Sequence, residues 1–197
     1  MKLLIASDIH GSAESLSKIM EAYADEKAER MVLLGDLLYH GPRNDLPKGY
    51  APKEVISILN SYKNELLCVR GNCEAEVDQM VLEFPVMAEY MLMYLDGIMV
   101  FATHGHIYNL DNLPPLKSND ILLHGHTHIP AMIKKDSIWY LNPGSVSIPK
   151  SSSFGTYMVY EDGVYTIKTL DGQIKSELDI TSGTVKAVKG SENIVLL

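Results

Sequence analysis

Cysteine is scarce in this sequence, and its placement argues against one class of protein. Only two of the 197 residues are cysteines, Cys68 and Cys73. They lie too close together, on a predicted strand-to-loop segment, for the disulfide framework that is typical of small secreted domains. The sequence therefore favours a reducing environment, and we expect a cytoplasmic protein.

Positive charge and long apolar runs are also in short supply. The chain carries 17 Lys and Arg against 25 Asp and Glu, which gives a net charge of −8 and a pI near 5.3. This balance argues against general nucleic-acid binding and against binding to a membrane surface. No apolar run approaches the 18 residues that a membrane-spanning helix requires, and Met1-Lys2 leads directly into a predicted strand. We therefore expect neither a membrane span nor a signal peptide.

The sequence does contain five short polar segments, each of which follows an apolar run. Runs such as 3–6 and 98–102 are typical of strands that are buried on both faces. Ligands bind at the carboxyl ends of such strands, so five strand ends would bring five polar clusters into one crevice. The segments are 7–11 (Ser-Asp-Ile-His-Gly), 34–36 (Leu-Gly-Asp), 70–73 (Arg-Gly-Asn-Cys), 103–106 (Thr-His-Gly-His) and 124–128 (His-Gly-His-Thr-His).

The polar side chains of these segments are of the kinds that hold a catalytic metal. Two carboxylates, one amide and four imidazoles suit manganese, iron, zinc, cobalt or nickel, while the absence of thiolate argues against a structural zinc site. Seven donors are too many for one ion that keeps an open position, but they fit two ions if one carboxylate bridges. The candidates are Asp8, His10, Asp36, Asn72, His104, His126 and His128.

Two such ions would support chemistry at phosphorus. Divalent ions about 3.5–4 Å apart clamp an in-line displacement, with a metal-bound hydroxide as nucleophile. Two dications, two carboxylates and one hydroxide carry a net charge of about +1, which suits a phosphate ester. An extended backbone over 126–128 would point His126 and His128 to one side, so that each ion takes one of them.

Each segment also has an ordinary structural interpretation. A lone Asp after a strand is commonly a helix N-cap or a turn residue, and Gly71-Asn72 is compatible with a simple turn. However, six of the seven histidines lie in these segments, and each segment has glycine beside it. This coincidence across five sites favours a shared metal centre.

The remaining pattern predicts an α/β (α+β) fold. Apolar residues at helical spacing indicate a helix over 12–27 with Ser12 as its N-cap, and a second helix over 52–62 begins at Pro52. In the second half, Asp96-Gly97 and Asp162-Gly163 indicate hairpins, and Lys135-Asp136 indicates one more weakly. Strand–helix alternation followed by hairpins predicts a four-layer αββα sandwich of two mixed sheets flanked by helices. We expect a single domain over 1–178 and a C-terminal extension of unknown role over 179–197.

The order of the motifs resembles a known family. Asp-x-His, Gly-Asp, Gly-Asn, His-Gly-His and Gly-His-x-His follow one another as in the calcineurin-like metallophosphoesterase superfamily. Further segments resemble its small bacterial YfcE-type phosphodiesterases, and this resemblance extends over about residues 1–178. These segments are 39–43, 46–52, 69–74, 76–80 and 142–150.

The resemblance implies two metal shells and an activity. One ion would be held by Asp8, His10, Asp36 and His128, and the other by Asp36, Asn72, His104 and His126, with Asp36 as the bridge. We favour manganese, with iron, zinc, cobalt, nickel and magnesium as alternatives. The implied function is that of a phosphodiesterase in which a metal-bridging hydroxide attacks a small phosphodiester in line. The resemblance also implies a homo-oligomer.

Two of the four predicted catalytic residues have open roles. Cys73 stands where most relatives have a His that is thought to protonate the leaving oxygen. Because a thiol has an ordinary pKa near 8.5, Cys73 is a poor general acid near neutral pH, and the favoured alternative is a pocket-lining role. His106 either contacts the substrate phosphate or hydrogen-bonds a metal ligand. The predicted catalytic residues are Asp36, Asn72, Cys73 and His106.

Two further polar residues and three other functions are compatible with the sequence. Arg43 follows Asp36 in a loop and suits phosphate oxygens, but such a residue is commonly solvated. Asn142 begins an Asn-Pro-Gly-Ser segment that predicts a structural turn.

There are three alternatives to a phosphodiesterase. They are a phosphomonoesterase, a cyclic-nucleotide hydrolase and a non-catalytic protein-binding scaffold, as in the retromer-subunit branch of the superfamily. All seven ligand positions hold competent donors, which favours an enzyme.

Overall fold

The computed structural model describes residues 1–150, 153–187 and 195–196, the last two by their backbone. In this part of the chain there are three helices, α1 (Ala13–Glu26), α2 (Pro52–Ser61) and α3 (Glu76–Gln79). The strands are β1 (Lys2–Ala6), β2 (Arg30–Leu33), β3 (Leu66–Cys68), β4 (Tyr90–Leu95), β5 (Ile98–Thr103), β6 (Ile121–Leu123), β7 (Ala131–Lys135), β8 (Ile138–Asn142), β9 (Thr156–Glu161), β10 (Val164–Thr169), β11 (Ile174–Asp179), β12 (Thr184–Ala187) and β13 (Val195–Leu196).

The strands form two mixed sheets, which confirms the predicted α/β class with two mixed sheets. The first sheet has the order β12-β11-β10-β9-β1-β2-β3, and the second has the order β13-β7-β8-β6-β5-β4. In the first sheet β1, β2 and β3 run parallel, whereas β9 pairs antiparallel with β1. In the second sheet β5, β6 and β8 run parallel. The carboxyl ends of β1, β2 and β3 therefore lie along one edge, as do those of β5 and β6.

The buried apolar residues form three clusters, one between the two sheets and one on the outer face of each sheet. Residues such as Leu3, Val32 and Leu123 are buried between the two sheets, because successive side chains of a strand point to opposite faces. The other face of the first sheet packs against α1 and α2. In the described part of the chain, the outer face of the second sheet is covered by residues of the 104–120 loop, such as Tyr108 and Leu110, rather than by a helix.

The two long helices and the hairpins are confirmed. Ser12 caps α1, since its hydroxyl oxygen accepts the backbone N–H of Ser15 at 3.1 Å, and the helix ends at Lys27 in a left-handed conformation (φ 53°). Pro52 occupies the first turn of α2. The three predicted turns join β4 to β5, β7 to β8 and β9 to β10, all antiparallel pairs.

The segment 179–197 is partly described. β12 adds an edge strand to the first sheet and β13 pairs with β7 at the edge of the second, while residues 188–194 and 197 lie outside the described part. None of the described helices is long and apolar enough to cross a membrane.

Candidate metal centre

The five predicted polar segments converge on one site. Asp8 and His10 follow β1, Asp36 follows β2, and Asn72 follows β3. His104 directly follows β5, and the segment with His126 and His128 follows β6. Because the carboxyl ends of these strands meet where the two sheets adjoin, all seven candidate ligands are neighbours, as the sequence predicts.

The first group of ligands comprises Asp8, His10 and His128, all of which are buried. Asp8 Oδ1 lies 3.2 Å from His128 Nε2 and 3.7 Å from His10 Nε2. It has no hydrogen-bond partner of good geometry among the described residues, although it is fully buried. A buried carboxylate oxygen without a donor is costly unless a cation compensates it.

The two histidines of this group are oriented for a cation. His10 Nδ1–H donates to the carbonyl of Tyr39 at 2.7 Å, and His128 Nδ1–H donates to that of Ile148 at 2.6 Å. A carbonyl can only accept, so in the neutral rings both Nε2 atoms carry lone pairs. These two atoms face each other at 3.3 Å. Opposed lone pairs repel, and a metal ion between them would turn the repulsion into ligation.

The second group comprises Asp36, Asn72, His104 and His126. His104 Nε2 lies 3.1 Å from Asn72 Oδ1, 3.2 Å from His126 Nδ1 and 3.5 Å from Asp36 Oδ2. The other nitrogen of His104 donates to the carbonyl of Leu34 at 2.7 Å, which fixes the ring. Oxygen and imidazole nitrogen donors in this arrangement fit a divalent ion of the same classes as the first group.

Asp36 lies between the two groups. Its Oδ2 is 3.7 Å from His10 Nε2 in the first group and 3.5 Å from His104 Nε2 in the second. A single carboxylate at this point is placed to serve both groups.

Electrostatics couple the ligands strongly in the metal-free chain. Burial tends to lower the pKa of His104, but hydrogen bonding to Asp36 and the charges of Asp8 and Asp36 raise it to about 9. Burial tends to raise the pKa of Asp36, but the hydrogen bond and charge of His104 have the larger effect and lower that pKa. The pKa of His126 falls to about 4, because the ring is partly buried and His104 lies beside it. A cation bound here would favour the neutral form of His104, since an imidazole binds a metal through an unprotonated nitrogen.

The backbone at the ligands is unusual, and it corrects one argument from the sequence. Asp8, His10, Asp36, His126 and His128 have φ between 49° and 63°, a left-handed region that non-glycine residues seldom adopt. The expected extended backbone over 126–128 is therefore wrong, although both side chains do reach the cluster. Left-handed residues cost about 1–3 kcal/mol each, and such strain concentrates at functional sites.

One glycine allows the two sheets to approach at this point. A Cβ on Gly125 would lie 1.8 Å from Ser7 Oγ and 2.6 Å from Asp8 Oδ2. Any side chain there would push the β6 loop away from the β1 loop, so that His126 and Asp8 would separate. The backbone N–H of His126 donates to Asp8 Oδ2 at 3.0 Å across this contact.

A cavity of about 410 Å³ lies over the cluster. It is lined by ligands of both groups, by Cys73 and by the two cations Arg43 and Lys150. Arg43 therefore reaches the site, as one of its two sequence interpretations allows. Lys150 was not singled out from the sequence, because a Lys after a predicted turn carries no distinctive pattern.

Cys73 contacts Asp36 directly. Its backbone N–H donates to Asp36 Oδ1 at 2.9 Å, and its thiol donates to Asp36 Oδ2 at 3.3 Å. Burial and the negative charge of Asp36 raise the pKa of the thiol well above its ordinary value. A thiol held in the protonated form is a weak acid for leaving-group protonation.

His106 also turns towards the cluster. Its ring centroid lies 5.4 Å from that of His104 and 6.3 Å from that of His126. Its Nδ1 is buried and has no hydrogen-bond partner in the described part of the chain. The ring is thus free to contact a substrate oxygen.

Glu74 is a positioning residue that the sequence did not reveal. Its buried carboxylate accepts the backbone N–H groups of Asp36 at 2.9 Å, of Leu37 at 2.7 Å and of Gly71. Burial and Asp36 raise its pKa to about 7, whereas the three N–H donors favour the charged form. The carboxylate joins the loop that carries Asp36 to the loop that carries Asn72.

Asn142 and Ser145 position the remaining loops. The Asn142 amide donates to the carbonyl of Gly125 at 2.8 Å and to Thr127 Oγ1 at 3.0 Å, and so fixes the loop of His126. Ser145 Oγ donates to the carbonyl of Asp8 at 2.9 Å. The Asn-Pro-Gly-Ser segment is a turn, as predicted, but it also supports the ligands.

The fold is an α/β fold built on two sheets, and the seven converging donors form a cluster that could hold metal ions. Residues 1–162 match the model of the Calcineurin-like phosphoesterase superfamily domain, and the chain belongs to this family.

The chain has a curated relative in Phosphodiesterase YfcE of Escherichia coli strain K12. The two are 45% identical over 173 residues, which cover 88% of this chain and 94% of the relative. A solved structure of the phosphoesterase Yfce from E. coli superposes with a TM-score of 0.88 and 44% identity, over 91% of this chain and all of that one.

A more distant solved structure shares the fold alone. Wild-type Vps29 from Entamoeba histolytica, in complex with Zn²⁺, superposes with a TM-score of 0.58 at 19% identity. The match covers 91% of this chain and 99% of that chain. At this identity it establishes the architecture and nothing about activity.

Proposed function

We propose that this chain is a metal-dependent phosphodiesterase that works with two divalent ions, of which manganese is favoured. The observation that carries the proposal is the pair of inward-facing nitrogens, His10 Nε2 and His128 Nε2, 3.3 Å apart beside the unpartnered Asp8 Oδ1. These buried acceptors need a cation. The 45% identity to Phosphodiesterase YfcE supports the diesterase assignment.

The proposed ligand sets are the two groups described above, with Asp36 shared between them. Asp8, His10, Asp36 and His128 would hold one ion, and Asp36, Asn72, His104 and His126 the other, with Asp36 as the bridge. When bound, two ions would polarise the phosphoryl oxygens and supply hydroxide for in-line attack at phosphorus.

Other residues of the chain would handle the substrate. Arg43 and Lys150 face the cavity and would attract the phosphate anion before reaction. His106 would bind a phosphoryl oxygen, since its ring lies beside the second ligand group and its Nδ1 lacks a partner. The Cys73 side chain would line the pocket rather than protonate the leaving oxygen, while its backbone N–H holds Asp36.

A phosphomonoesterase is the second candidate, and one observation favours it. A monoester dianion carries more negative charge than the net charge of about +1 at the metals can balance. Arg43 and Lys150 would supply two further positive charges at the same cavity. Diester and monoester activities must therefore be compared directly.

The test uses the full chain, stripped of metal and re-supplied with manganese, iron(II), zinc, cobalt, nickel or magnesium in turn. The panel contains aryl and alkyl diesters, the matching monoesters and cyclic nucleotides. We expect manganese to restore the highest turnover and diesters to be preferred. Diester turnover that survives chelation would contradict metal dependence, and a preference for monoesters would select the second candidate.

The proposal includes a second copy of the chain as partner and a cytoplasmic location. The outward side chains of the edge strand β4, Tyr90, Leu92 and Tyr94, are 46%, 52% and 72% exposed, an apolar row that self-association would cover. Light scattering should give a mass above that of one chain, and Leu92→Lys should lower that mass.

The two cysteines are free thiols, in keeping with a reducing compartment and hence with the proposed cytoplasmic location.

A further inference from the structure

A second cavity lies beside the metal centre, on the outer face of the second sheet. Its volume is about 430 Å³, within the range of small-molecule pockets. Its floor is formed by outward side chains of β7 and β8, and one wall is formed by the 104–120 loop. The residues that line it include Leu110, Ile129, Ala131, Ile133, Tyr140 and His126.

This cavity adjoins the candidate metal centre. His126, a proposed metal ligand, lines both the second cavity and the cavity over the cluster. Gly105, between His104 and His106, also lines the second cavity. The second cavity therefore lies beside the position that a group attached to a phosphate at the cluster would occupy.

The walls are suited to an apolar group rather than to a sugar. Ala131 and Tyr140 are buried in the small apolar cluster of this face, and Leu110 and Ile133 pack against them. Alternating outward positions of β7 and β8 place Ala131, Ile133 and Tyr140 on one surface, because strand side chains alternate between faces.

Asn109 and the hydroxyl oxygens of Thr127 and Tyr140 already have hydrogen-bond partners within the protein. Asn109 donates to the carbonyl of Gly105 at 3.0 Å and accepts the backbone N–H groups of Asp111 and Asn112. The amide of Asn142 donates to the hydroxyl oxygen of Thr127, and it also donates to the hydroxyl oxygen of Tyr140 at 2.8 Å. A ribose would bury several hydroxyls against these occupied groups, and each would lose its bond to water.

We propose that the second cavity binds the non-leaving ester substituent of the substrate, and that this substituent is aromatic or otherwise apolar. The inference rests on the proposed phosphodiesterase function and specifies its substrate class. Asp111 and Lys135, both exposed, are the charged residues of the lining.

The test compares diesters that share one leaving group. Methyl, phenyl and 2-naphthyl 4-nitrophenyl phosphate are all monoanions and differ only in the non-leaving substituent. With the manganese-loaded full chain, we expect kcat/KM to be about tenfold or more higher for the naphthyl ester than for the methyl ester, the scale on which apolar pockets discriminate.

Two variants and a matched control locate the effect. Ile133→Trp fills the cavity from a half-buried strand position and should lower the naphthyl-to-methyl ratio by about tenfold. Leu110→Ala widens the loop wall and should also lower the ratio, by a smaller factor. Ile174→Trp makes the same change at a 39% exposed strand position in the first sheet and should leave the ratio unaltered. Melting temperatures check that each variant folds.

A binding measurement separates this inference from the proposed function. In metal-free protein, 2-naphthol should shift the backbone NMR signals of Ala131, Ile133 and Tyr140, and Ile133→Trp should abolish the shifts. Such shifts with no diester turnover would support the cavity and refute the activity. Turnover with equal kcat/KM for all three diesters, or a ratio that Ile133→Trp leaves intact, would overturn the inference. So would a dimer that Ile133→Trp dissociates, since a second copy would then occupy the cavity.

Discussion

Glu74 Oε2 accepts the backbone N–H of Asp36 at 2.9 Å, so that one buried carboxylate holds the backbone of another. The same carboxylate also takes the N–H groups of Leu37 and Gly71. Two carboxylates repel when both are charged, and the backbone donors compensate one of them. This arrangement fixes Asp36 between the two ligand groups without using its side-chain oxygens.

Removal of this contact should loosen the site. Glu74→Ala would leave three buried N–H groups unpaired, so we expect the free energy of unfolding to fall by at least about 2 kcal/mol. Manganese affinity should fall about 10- to 100-fold, as for other groups that orient metal ligands. Urea denaturation and metal titration measure the two effects. Glu76→Ala, at an exposed position two residues away, is the control, and equal effects of both variants would contradict the role of Glu74.

Removal of the proposed bridge should abolish the two-metal site. We expect Asp36→Ala to lower diester turnover by orders of magnitude while circular dichroism shows an intact fold. Elemental analysis should show fewer than two bound ions per chain, since both groups lose a ligand. Asp45→Ala, in the exposed part of the following loop, should retain both ions. Near-wild-type turnover in Asp36→Ala would refute the two-metal proposal.

The thiol of Cys73 should give leaving groups little help. Burial and Asp36 raise its pKa, so turnover should depend steeply on the leaving-group pKa, with nitrophenyl esters fast and alkyl esters slow. General-acid assistance contributes about 100- to 10,000-fold, so the difference should be large. We expect Cys73→His to raise alkyl-ester rates more than aryl-ester rates.

The alanine variant tests the alternative for this residue. Cys73→Ala should leave aryl-ester rates almost unchanged, measured with the manganese-loaded protein. Loss of most aryl-ester activity would show that the thiol acts directly, and the pocket-lining interpretation would be wrong.

A pH-dependent part of stability should come from an ion-pair cluster outside the candidate metal centre. The Glu26 carboxylate pairs with Lys2 at 2.8 Å and with Lys168, tying α1 to β1 and β10. Burial tends to raise the pKa of Glu26, but Lys168 and Lys2 outweigh it and lower that pKa. The folded state then binds this proton less tightly than the unfolded state, so the stabilisation is present above about pH 4.5 and is lost as the pH falls further.

Substitution isolates this contribution. Glu26→Gln should lower the free energy of unfolding by about 1–3 kcal/mol at pH 7, between the values for exposed and buried pairs. The difference from wild type should shrink below pH 4. Glu21→Gln, on the exposed face of the same helix, is the matched control in urea denaturation. A difference that persists unchanged at pH 3 would show that the charge of Glu26 is not its source.

Much of the site was predictable because strand ends are local features. An apolar run followed by Gly-Asp or His-Gly-His identifies both the strand and the donors, and parallel strands bring their carboxyl ends together. The N-cap at Ser12 and the Asp-Gly hairpins were predictable for the same reason. The left-handed backbone at His126 and His128 was not, because non-glycine residues seldom adopt it and no residue type at these positions signals it.

The sequence by itself determined the donor set, the two-sheet fold class and the family resemblance, since these depend on residue types at short spacings. Tertiary structure alone decided that Glu74 holds Asp36, that Asn142 supports the loop of His126, and that Lys150 faces the cavity. It also decided that an apolar cavity adjoins the metal centre. These relationships join residues that lie far apart in the chain, and only the packing of two sheets brings them within hydrogen-bonding or contact distance.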